Sequence, residues 1–158
     1  MIHKIKPFLW FDKEAEDAAK FYCSIFKNSK ILDVARYPEG SPAPAGSAMI
    51  VSFELEGLQF TGLNAGPMFK FTEAISFAVT TENQEETDHL WNKLTAGGGK
   101  ESDCGWLKDK FGLSWQVTPR ALIELLSSPD KQKSARVMAA MMTMQKIDIA
   151  ALQRAAQG

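Results

Sequence analysis

Apolar and polar positions along this chain form two similar blocks, of which the first predicts one helix and four strands. Residues 4–11 are apolar and aromatic, which predicts a strand, and Pro7 favours an edge position or a bulge. Asp12 is the predicted N-cap of a helix whose apolar residues recur at helical spacing. Those residues are Ala15, Ala18, Ala19, Tyr22, Ile25 and Phe26. Alternation predicts three further strands, at residues 31–37, 48–55 and 58–63.

The second block repeats this order with shorter connections. A strand is predicted at 74–80, and Thr81 with Gln84 has the pattern of a capping box at the start of the next helix. That helix is expected to end at the three glycines 97–99. Strand patterns resume around Lys100 and then at residues 104–109 and 113–117. The chain is therefore predicted to contain two β-α-β-β-β modules.

A local echo supports the repeat: GLQFT at residues 57–61 matches GLSWQ at 112–116, each a Gly-Leu turn that enters an apolar strand. We expect one α+β domain over residues 1–158, with module 1 at about 4–64 and module 2 at about 73–118. Half-barrel mixed sheets are expected in both modules. The groove between two such modules is the predicted ligand site.

A helical tail is predicted at about residues 120–157. The first helix covers 120–126, and Ser128-Pro129-Asp130 offers an N-cap with proline at the first helical position. Asp148 is expected to cap the last helix, with Ile147 and Leu152 as a hydrophobic staple. An apolar face rich in methionine runs along the tail and predicts core packing or a homodimer interface. Its residues are Val137, Met138, Met141, Met142 and Met144.

Composition and charge narrow the classes of function. The chain has 158 residues, a net charge of −1 and 45% hydrophobic residues, as expected for a folded domain. Its basic residues are dispersed, which argues against nucleic acid or an anionic membrane as a partner. No apolar run is long enough to span a bilayer and no secretion signal is visible. The two cysteines have no paired spacing. We expect a cytoplasmic protein.

Several segments resemble the vicinal oxygen chelate superfamily, which includes glyoxalases, extradiol dioxygenases and bleomycin-resistance proteins. The segments are KPFLWF at residues 6–11, FKFTEAISF at 69–77, CGWLKDKFGLSWQ at 104–116, RVMAAMM at 136–142 and KID at 146–148. They look like the PhnB-like branch, whose members often carry the name 3-demethylubiquinone-9 3-methyltransferase. The resemblance covers nearly the whole chain and implies the tandem-module fold.

The resemblance also implies where a metal ion would bind. Metal enzymes of this superfamily use one ligand from the first strand and one from the last strand of each module, usually His or Glu. The matching last-strand positions are Thr61 and Gln116, and the first-strand positions fall near Ile5 or Pro7 and near Ala74 or Ser76. None of these is a good ligand for a divalent transition metal. We therefore predict no metal site.

Other catalytic chemistry has weak support in the sequence. His89 lies among acidic residues on the polar side of a helix and is expected to be solvated. Cys104 is the one plausible nucleophile, yet no histidine can be placed beside it. Cys23 is expected to serve packing. The first strand enters its helix without the glycine-rich turn that S-adenosylmethionine enzymes commonly have, which disfavours methyl transfer.

Alternation along the strands selects a set of ligand-binding candidates. Ser114 and Gln116 share one face of the last strand, and Cys104, Trp106 and Lys108 share one face of the preceding strand. Thr61 is the corresponding residue of the first module. An aromatic wall with hydroxyl and amide groups and one cation suits a planar, aromatic or apolar molecule, including an anionic one. The alternative is that Trp106 and Trp115 are core residues.

Three functions follow from this pattern. The leading hypothesis is a metal-free small-molecule binding protein, in which binding amounts to sequestration. The second is an enzyme of the same fold, either a metal-dependent lyase or isomerase or a methyltransferase that uses S-adenosylmethionine. The third is a structural or interaction protein whose helical tail is the partner surface.

Overall fold

The computed structural model describes residues 3–158 and divides into two compact units, with the division between Phe71 and Thr72. Each unit contains one mixed four-stranded sheet and at least one helix, so the fold is α+β with two tandem β-α-β-β-β modules. The helical tail belongs to the second unit. Within the described residues, no helix has the length and apolar character needed to cross a membrane.

The first unit follows the predicted order of elements. They are β1 (Phe8–Phe11), α1 (Ala15–Ile25), β2 (Lys30–Arg36), β3 (Ala48–Leu55) and β4 (Leu58–Asn64). The strand order is β1-β4-β3-β2, with β1 parallel to β4 and the other neighbours antiparallel. The predicted first strand was too long at its start, because β1 begins after Pro7 rather than at residue 4.

Helix α1 covers one face of this sheet. All six residues of the predicted apolar stripe are buried. Tyr22 stacks on Phe53 of β3, with ring centroids 6.1 Å apart. Gly62 of β4 permits the close approach of the helix, because a Cβ atom at this position would lie 3.2 Å from the Cβ of Ala15. The helix therefore packs on the face that carries Phe53 and Gly62.

The start of α1 differs from the prediction that Asp12 caps it. The N-cap residue is Glu14, and its side chain makes no capping hydrogen bond. Instead, the backbone N–H of Ala15 donates to Oδ1 of Asn64, at 2.9 Å, and Asn64 Nδ2 donates to the carbonyl of Ala48, at 3.1 Å. The buried side-chain amide of Asn64, at the end of β4, thus pairs with the first N–H of α1 and connects the helix to β3.

The second unit repeats the arrangement. Its module consists of β5 (Ser76–Thr81), α2 (Gln84–Thr95), β6 (Lys100–Glu101), β7 (Trp106–Lys108) and β8 (Ser114–Pro119). The strand order is β5-β8-β7-β6, and β5 is parallel to β8. The N-cap of α2 is Asn83, whose Oδ1 accepts from the N–H of Glu86 at 2.9 Å, so the predicted Thr81–Gln84 capping box is wrong. Asparagine is among the strongest capping residues. Asn83 lies two positions after Thr81 and takes the cap position instead.

The turn that joins β7 to β8 is organised by the carboxylate of Asp109, which is 3% exposed. Oδ1 accepts from the backbone N–H groups of Phe111 and Leu113, at 2.8 and 3.1 Å. Oδ2 accepts from the indole N–H of Trp115, at 2.9 Å. This one side chain therefore links the β7–β8 turn to the Trp115 ring.

The tail forms three helices around its own hydrophobic cluster. They are α3 (Arg120–Leu126), α4 (Lys131–Met141) and α5 (Ile149–Gln157). The cluster contains Leu122, Val137, Ile147 and Leu152, so both residues of the predicted staple are buried together. Of the methionine face, Met141 and Met144 pack against this cluster, whereas Met138 and Met142 are exposed.

The caps of the tail helices agree with the sequence in part. Asp148 caps α5 as predicted, accepting from the N–H of Ala151 at 3.0 Å. For α4 the cap is Asp130, whose Oδ1 accepts two backbone N–H groups, and Pro129 lies before the helix rather than at its first position. A carboxylate accepts these N–H groups more strongly than the Ser128 hydroxyl would.

Backbone hydrogen bonds attach the tail to the β-module of the same unit. The N–H groups of Cys104 and Gly105 donate to the carbonyls of Met144 and Gln145, each at 2.8 Å. The Gln84 side chain donates to the carbonyl of Ile147, at 2.9 Å, and accepts from the N–H of Ile149, at 2.8 Å. The tail is thus part of the folded unit and not an appended segment.

Candidate functional site

Helix α2 covers one face of the second sheet; the opposite face, which α2 does not cover, is called the helix-free face. The indole N–H of Trp91 in α2 donates to Glu101 of β6, at 2.6 Å, and Glu101 is in register with Leu107, which is in register with Trp115. These residues mark the helix side. Because side chains alternate along a strand, their sequence neighbours lie on the opposite face. The neighbours are Ser76, Ala78, Lys100, Trp106, Lys108, Ser114 and Gln116.

Four of the six predicted site residues therefore share this helix-free face. Ser114 is in register with Lys108, and Gln116 with Trp106. Trp106, Lys108 and Gln116 are half-buried, and Ser114 is buried. The register thus places an aromatic ring, an ammonium, a hydroxyl and a primary amide on adjacent strands.

Thr61 occupies the matching face of the first sheet. The helix side of that sheet carries Phe53 and Gly62, so the adjacent position Thr61 points away from α1. Thr61 is in register with Phe8 of the parallel strand β1, as Gln116 is with Ala78 of β5. The predicted correspondence of Thr61 with Gln116 agrees with this register.

Two hydroxyls on these faces are buried without a partner. Thr61 is 3% and Ser114 is 1% exposed, and neither Oγ atom forms a hydrogen bond within residues 3–158. Buried polar groups in folded proteins are nearly always paired, because an unpaired one loses its hydration without compensation. The two hydroxyls therefore reduce stability at the positions where the sequence predicts ligand contact.

This arrangement gives a stability prediction. We expect Thr61→Val and Ser114→Ala each to raise the free energy of unfolding by about 1 kcal/mol, because each removes an unpaired buried hydroxyl. Chemical denaturation followed by circular dichroism measures the change.

The matched control is Thr87→Val in α2. Thr87 is also buried, but its hydroxyl lies 2.7 Å from Thr81 Oγ1 and donates to the carbonyl of Asn83 at 2.8 Å. We expect Thr87→Val to lower the free energy of unfolding by about 1–2 kcal/mol, because the hydrogen bonds of this hydroxyl are lost. Equal destabilisation in all three variants would show that the Thr61 and Ser114 hydroxyls contribute to stability.

The polar groups of the second face have defined partners. Gln116 Nε2 donates to Ser76 Oγ, at 2.9 Å. Lys108 forms an ion pair with Glu73, and the hydrogen bond from Lys108 lowers the pKa of the Glu73 carboxyl. Both side chains of this pair are partly exposed, at 36% for Lys108 and 62% for Glu73. The pair is therefore solvated and can open.

Cys104 does not lie on the strand face with Trp106 and Lys108, and that part of the prediction is wrong. Strand β7 begins at Trp106, and Cys104 has a left-handed backbone with φ of 58°. A left-handed residue interrupts strand alternation, so Cys104 lies in a turn. Its thiol contacts Met142 of the tail, with Sγ and Sδ 3.8 Å apart.

In the first unit, burial raises the pKa of the Cys23 thiol, which agrees with its predicted packing role.

The donor set on these faces does not fit a divalent transition metal. Thr61 and Gln116 offer a hydroxyl and a neutral amide, and their parallel-strand neighbours are Phe8 and Ala78. In residues 3–158, no group of three or more His, Cys, Asp or Glu side chains could hold a metal ion. His89 is exposed, as the sequence indicated. The metal-free state itself stays a prediction.

Sequence reasoning missed two contributors to the second face. Ser76 was considered as a position of a metal ligand, but its observed contact is the hydrogen bond with Gln116. Glu73 lies in the connection before β5 and pairs with Lys108, 35 positions later in the chain. The alternation of β5 could have placed Ser76 on this face, whereas no local pattern indicates the Glu73 contact.

The tandem-module fold, together with similarity to known proteins, identifies the protein class as the vicinal oxygen chelate superfamily. The chain belongs to the family described as 3-demethylubiquinone-9 3-methyltransferase, whose model matches residues 3–118. A Bacillus cereus PhnB protein that carries the same methyltransferase name is 36% identical, with a TM-score of 0.69; the match covers 74% of this chain and 99% of that one. None of the curated proteins matches this chain.

More distant solved structures share the fold. Protein PA1353 from Pseudomonas aeruginosa is 19% identical with a TM-score of 0.62, and the match covers 75% of this chain and 98% of that one. A mutant of the fosfomycin resistance protein FosX from Listeria monocytogenes, solved with Mn(II) and 1S,2S-dihydroxypropylphosphonic acid, is 17% identical with a TM-score of 0.55. That match covers 75% of this chain and 93% of the other.

Proposed function

We propose that this protein binds a small, planar, aromatic or largely apolar molecule without a metal ion, on the helix-free faces of its sheets. The observation that carries the proposal is the pair of buried, unpartnered hydroxyls of Thr61 and Ser114. A ligand oxygen or nitrogen placed beside either hydroxyl would supply the missing hydrogen bond. Stability lost in the free protein would then be recovered on binding.

The side chains around Ser114 support an aromatic ligand. Trp106 is half-buried, so part of its ring is open to contact. Gln116 is held by Ser76, which fixes its amide plane before a ligand arrives. Aromatic rings supply much of the contact area in small-molecule sites, and a few fixed polar groups set orientation. A ring against Trp106 with a polar substituent toward Gln116 fits this set.

The test is a thermal-shift screen of planar aromatic compounds, followed by calorimetry on the best ligand. We expect Trp106→Leu and Gln116→Leu to weaken binding by about tenfold or more, since each removes a direct contact. Gln153→Leu, an exposed change on α5, should leave affinity unchanged. The proposal fails if no aromatic compound binds, or if both site variants bind as tightly as the unchanged protein.

Methyl transfer is the alternative that the family name favours. S-adenosylmethionine belongs in the same screen, because an enzyme of that kind must bind it. The first strand enters α1 through Asp12-Lys13-Glu14 with no glycine, and Asn64 fills the helix start. These residues do not form the open, glycine-rich turn that commonly receives such a cofactor. Stabilisation by S-adenosylmethionine in the screen would favour the enzyme.

A cytoplasmic location and a homodimer remain proposals. Met138 and Met142 of the tail are 48% and 63% exposed, and they supply an apolar surface that a second copy could cover. The third hypothesis, a purely structural role, is favoured by none of the contacts around Ser114.

A further inference from the structure

One row of side chains on the helix-free face of the second sheet is rich in positive charge and hydroxyl groups. Lys100 of β6 is in register with Lys108 of β7, which is in register with Ser114 of β8, and Ser114 with Ser76 of β5. Two ammonium groups and two hydroxyls therefore follow one another across four strands. All four can donate hydrogen bonds, which is the chemistry that binds an oxyanion.

A carboxylate already contacts this row. Glu73 lies outside the strands and pairs with Lys108. The Glu73 side chain is 62% exposed, so the ion pair is weak and another carboxylate can readily displace that of Glu73. The pair with Glu73 shows that the Lys108 ammonium can bind a carboxylate. Glu73 also covers the ammonium that a ligand would need.

We infer that the row Ser76–Ser114–Lys108–Lys100 is a carboxylate subsite for the proposed aromatic ligand, and that Glu73 is an internal competitor for it. The inference rests on the proposed function, because Trp106 supplies the ring contact. Trp106 and Lys108 are two residues apart on one face of β7, roughly 6–7 Å along the strand. An aromatic acid can therefore contact both side chains at once.

Opening of the Glu73–Lys108 pair explains how a ligand reaches Ser114. The Ser114 hydroxyl is buried and unpartnered, and Lys108 is its neighbour on the adjacent strand. A ligand carboxylate that replaces that of Glu73 on Lys108 would lie next to Ser114, the register neighbour of Lys108 on β8. The ligand then receives a charged and a neutral hydrogen bond from the sheet; Glu73 receives the charged one from Lys108 and a backbone hydrogen bond from its own N–H.

The test compares 2-naphthoate with uncharged 2-naphthamide by calorimetry. The unchanged protein should bind naphthoate more tightly than naphthamide. Lys108→Met should weaken naphthoate by about tenfold and leave naphthamide unchanged, since it removes only the cation. Glu73→Gln should tighten naphthoate by roughly three- to fivefold, because the competing carboxylate is lost. High salt should reduce the preference for naphthoate.

Two control variants separate this subsite from general charge effects. Glu82→Gln breaks another exposed ion pair of the same unit, with Arg120, and Lys133→Met removes another lysine of that unit. Neither should change naphthoate affinity. Circular dichroism confirms that all four variants are folded.

The outcomes distinguish the subsite from the proposed function. Equal binding of naphthoate and naphthamide overturns the carboxylate subsite and leaves aromatic binding in place. Weaker naphthoate binding by Glu73→Gln overturns the role of Glu73 as a competitor. Binding of neither compound overturns the subsite, and the failure of the wider aromatic screen is what would overturn the proposed function.

Discussion

Replacing Asp109 by alanine is expected to lower the free energy of unfolding by about 3–4 kcal/mol, because hydrogen bonds to a buried carboxylate are strong and three are lost together. The backbone N–H groups of Phe111 and Leu113 and the indole N–H of Trp115 would all lose their acceptor. Leu113 and Trp115 are buried, so water cannot replace the carboxylate easily. Urea denaturation monitored by tryptophan fluorescence measures the loss.

A graded series makes this prediction specific. Asp109→Asn retains one acceptor oxygen but presents an NH2 group to one of the donors, so we expect about half the loss. Asp103→Ala removes the same charge from an exposed residue of the turn before β7 and should change stability by less than about 0.5 kcal/mol. If Asp109→Ala and Asp103→Ala behave alike, the hairpin does not depend on the carboxylate.

Asn64→Ala is expected to lower the free energy of unfolding of the first unit by about 2–3 kcal/mol. Two buried hydrogen bonds are lost, and a donor and an acceptor are left unpaired. The lost partners are the N–H of Ala15, at the start of α1, and the carbonyl of Ala48, at the start of β3. Hydrogen exchange should increase first in the opening turn of α1, which loses its acceptor.

The Asn64 result can be checked by two further variants. Asn64→Asp keeps an acceptor for Ala15 but loses the donor to Ala48, so its stability should fall between that of Asn64→Ala and the unchanged protein. Asn92→Ala, at an exposed position of α2, is the control and should have little effect. An intact α1 exchange pattern in Asn64→Ala would contradict the proposed capping role.

Much of the fold could be predicted because the local patterns are strong. Strand β3 has the predicted bounds of 48–55, and α3 has those of 120–126. The apolar stripe of α1 is buried as its spacing indicated. Alternation also placed Trp106, Lys108, Ser114 and Gln116 on one face, because β7 and β8 are regular over these residues.

The errors arise where distant residues or backbone strain override a local pattern. Asp12 fits the local pattern of an N-cap, but the acceptor for the start of α1 comes from Asn64, which is 49 positions from Ala15. Cys104 fitted the alternation of β7, yet hydrogen bonds to the tail accompany a left-handed conformation there. The contact of the Glu73 carboxylate with Lys108 likewise depends on tertiary structure, which no spacing rule reports.

The tail has a consequence for how the limits of this protein are drawn. The family match stops at residue 118, inside β8 and before α3. A chain cut at that point would leave the amides of Cys104 and Gly105 without the carbonyls of Met144 and Gln145. Homology therefore does not mark a folding boundary here, and a version cut at residue 118 would be a poor substitute for the 158-residue chain in crystallisation or ligand screening.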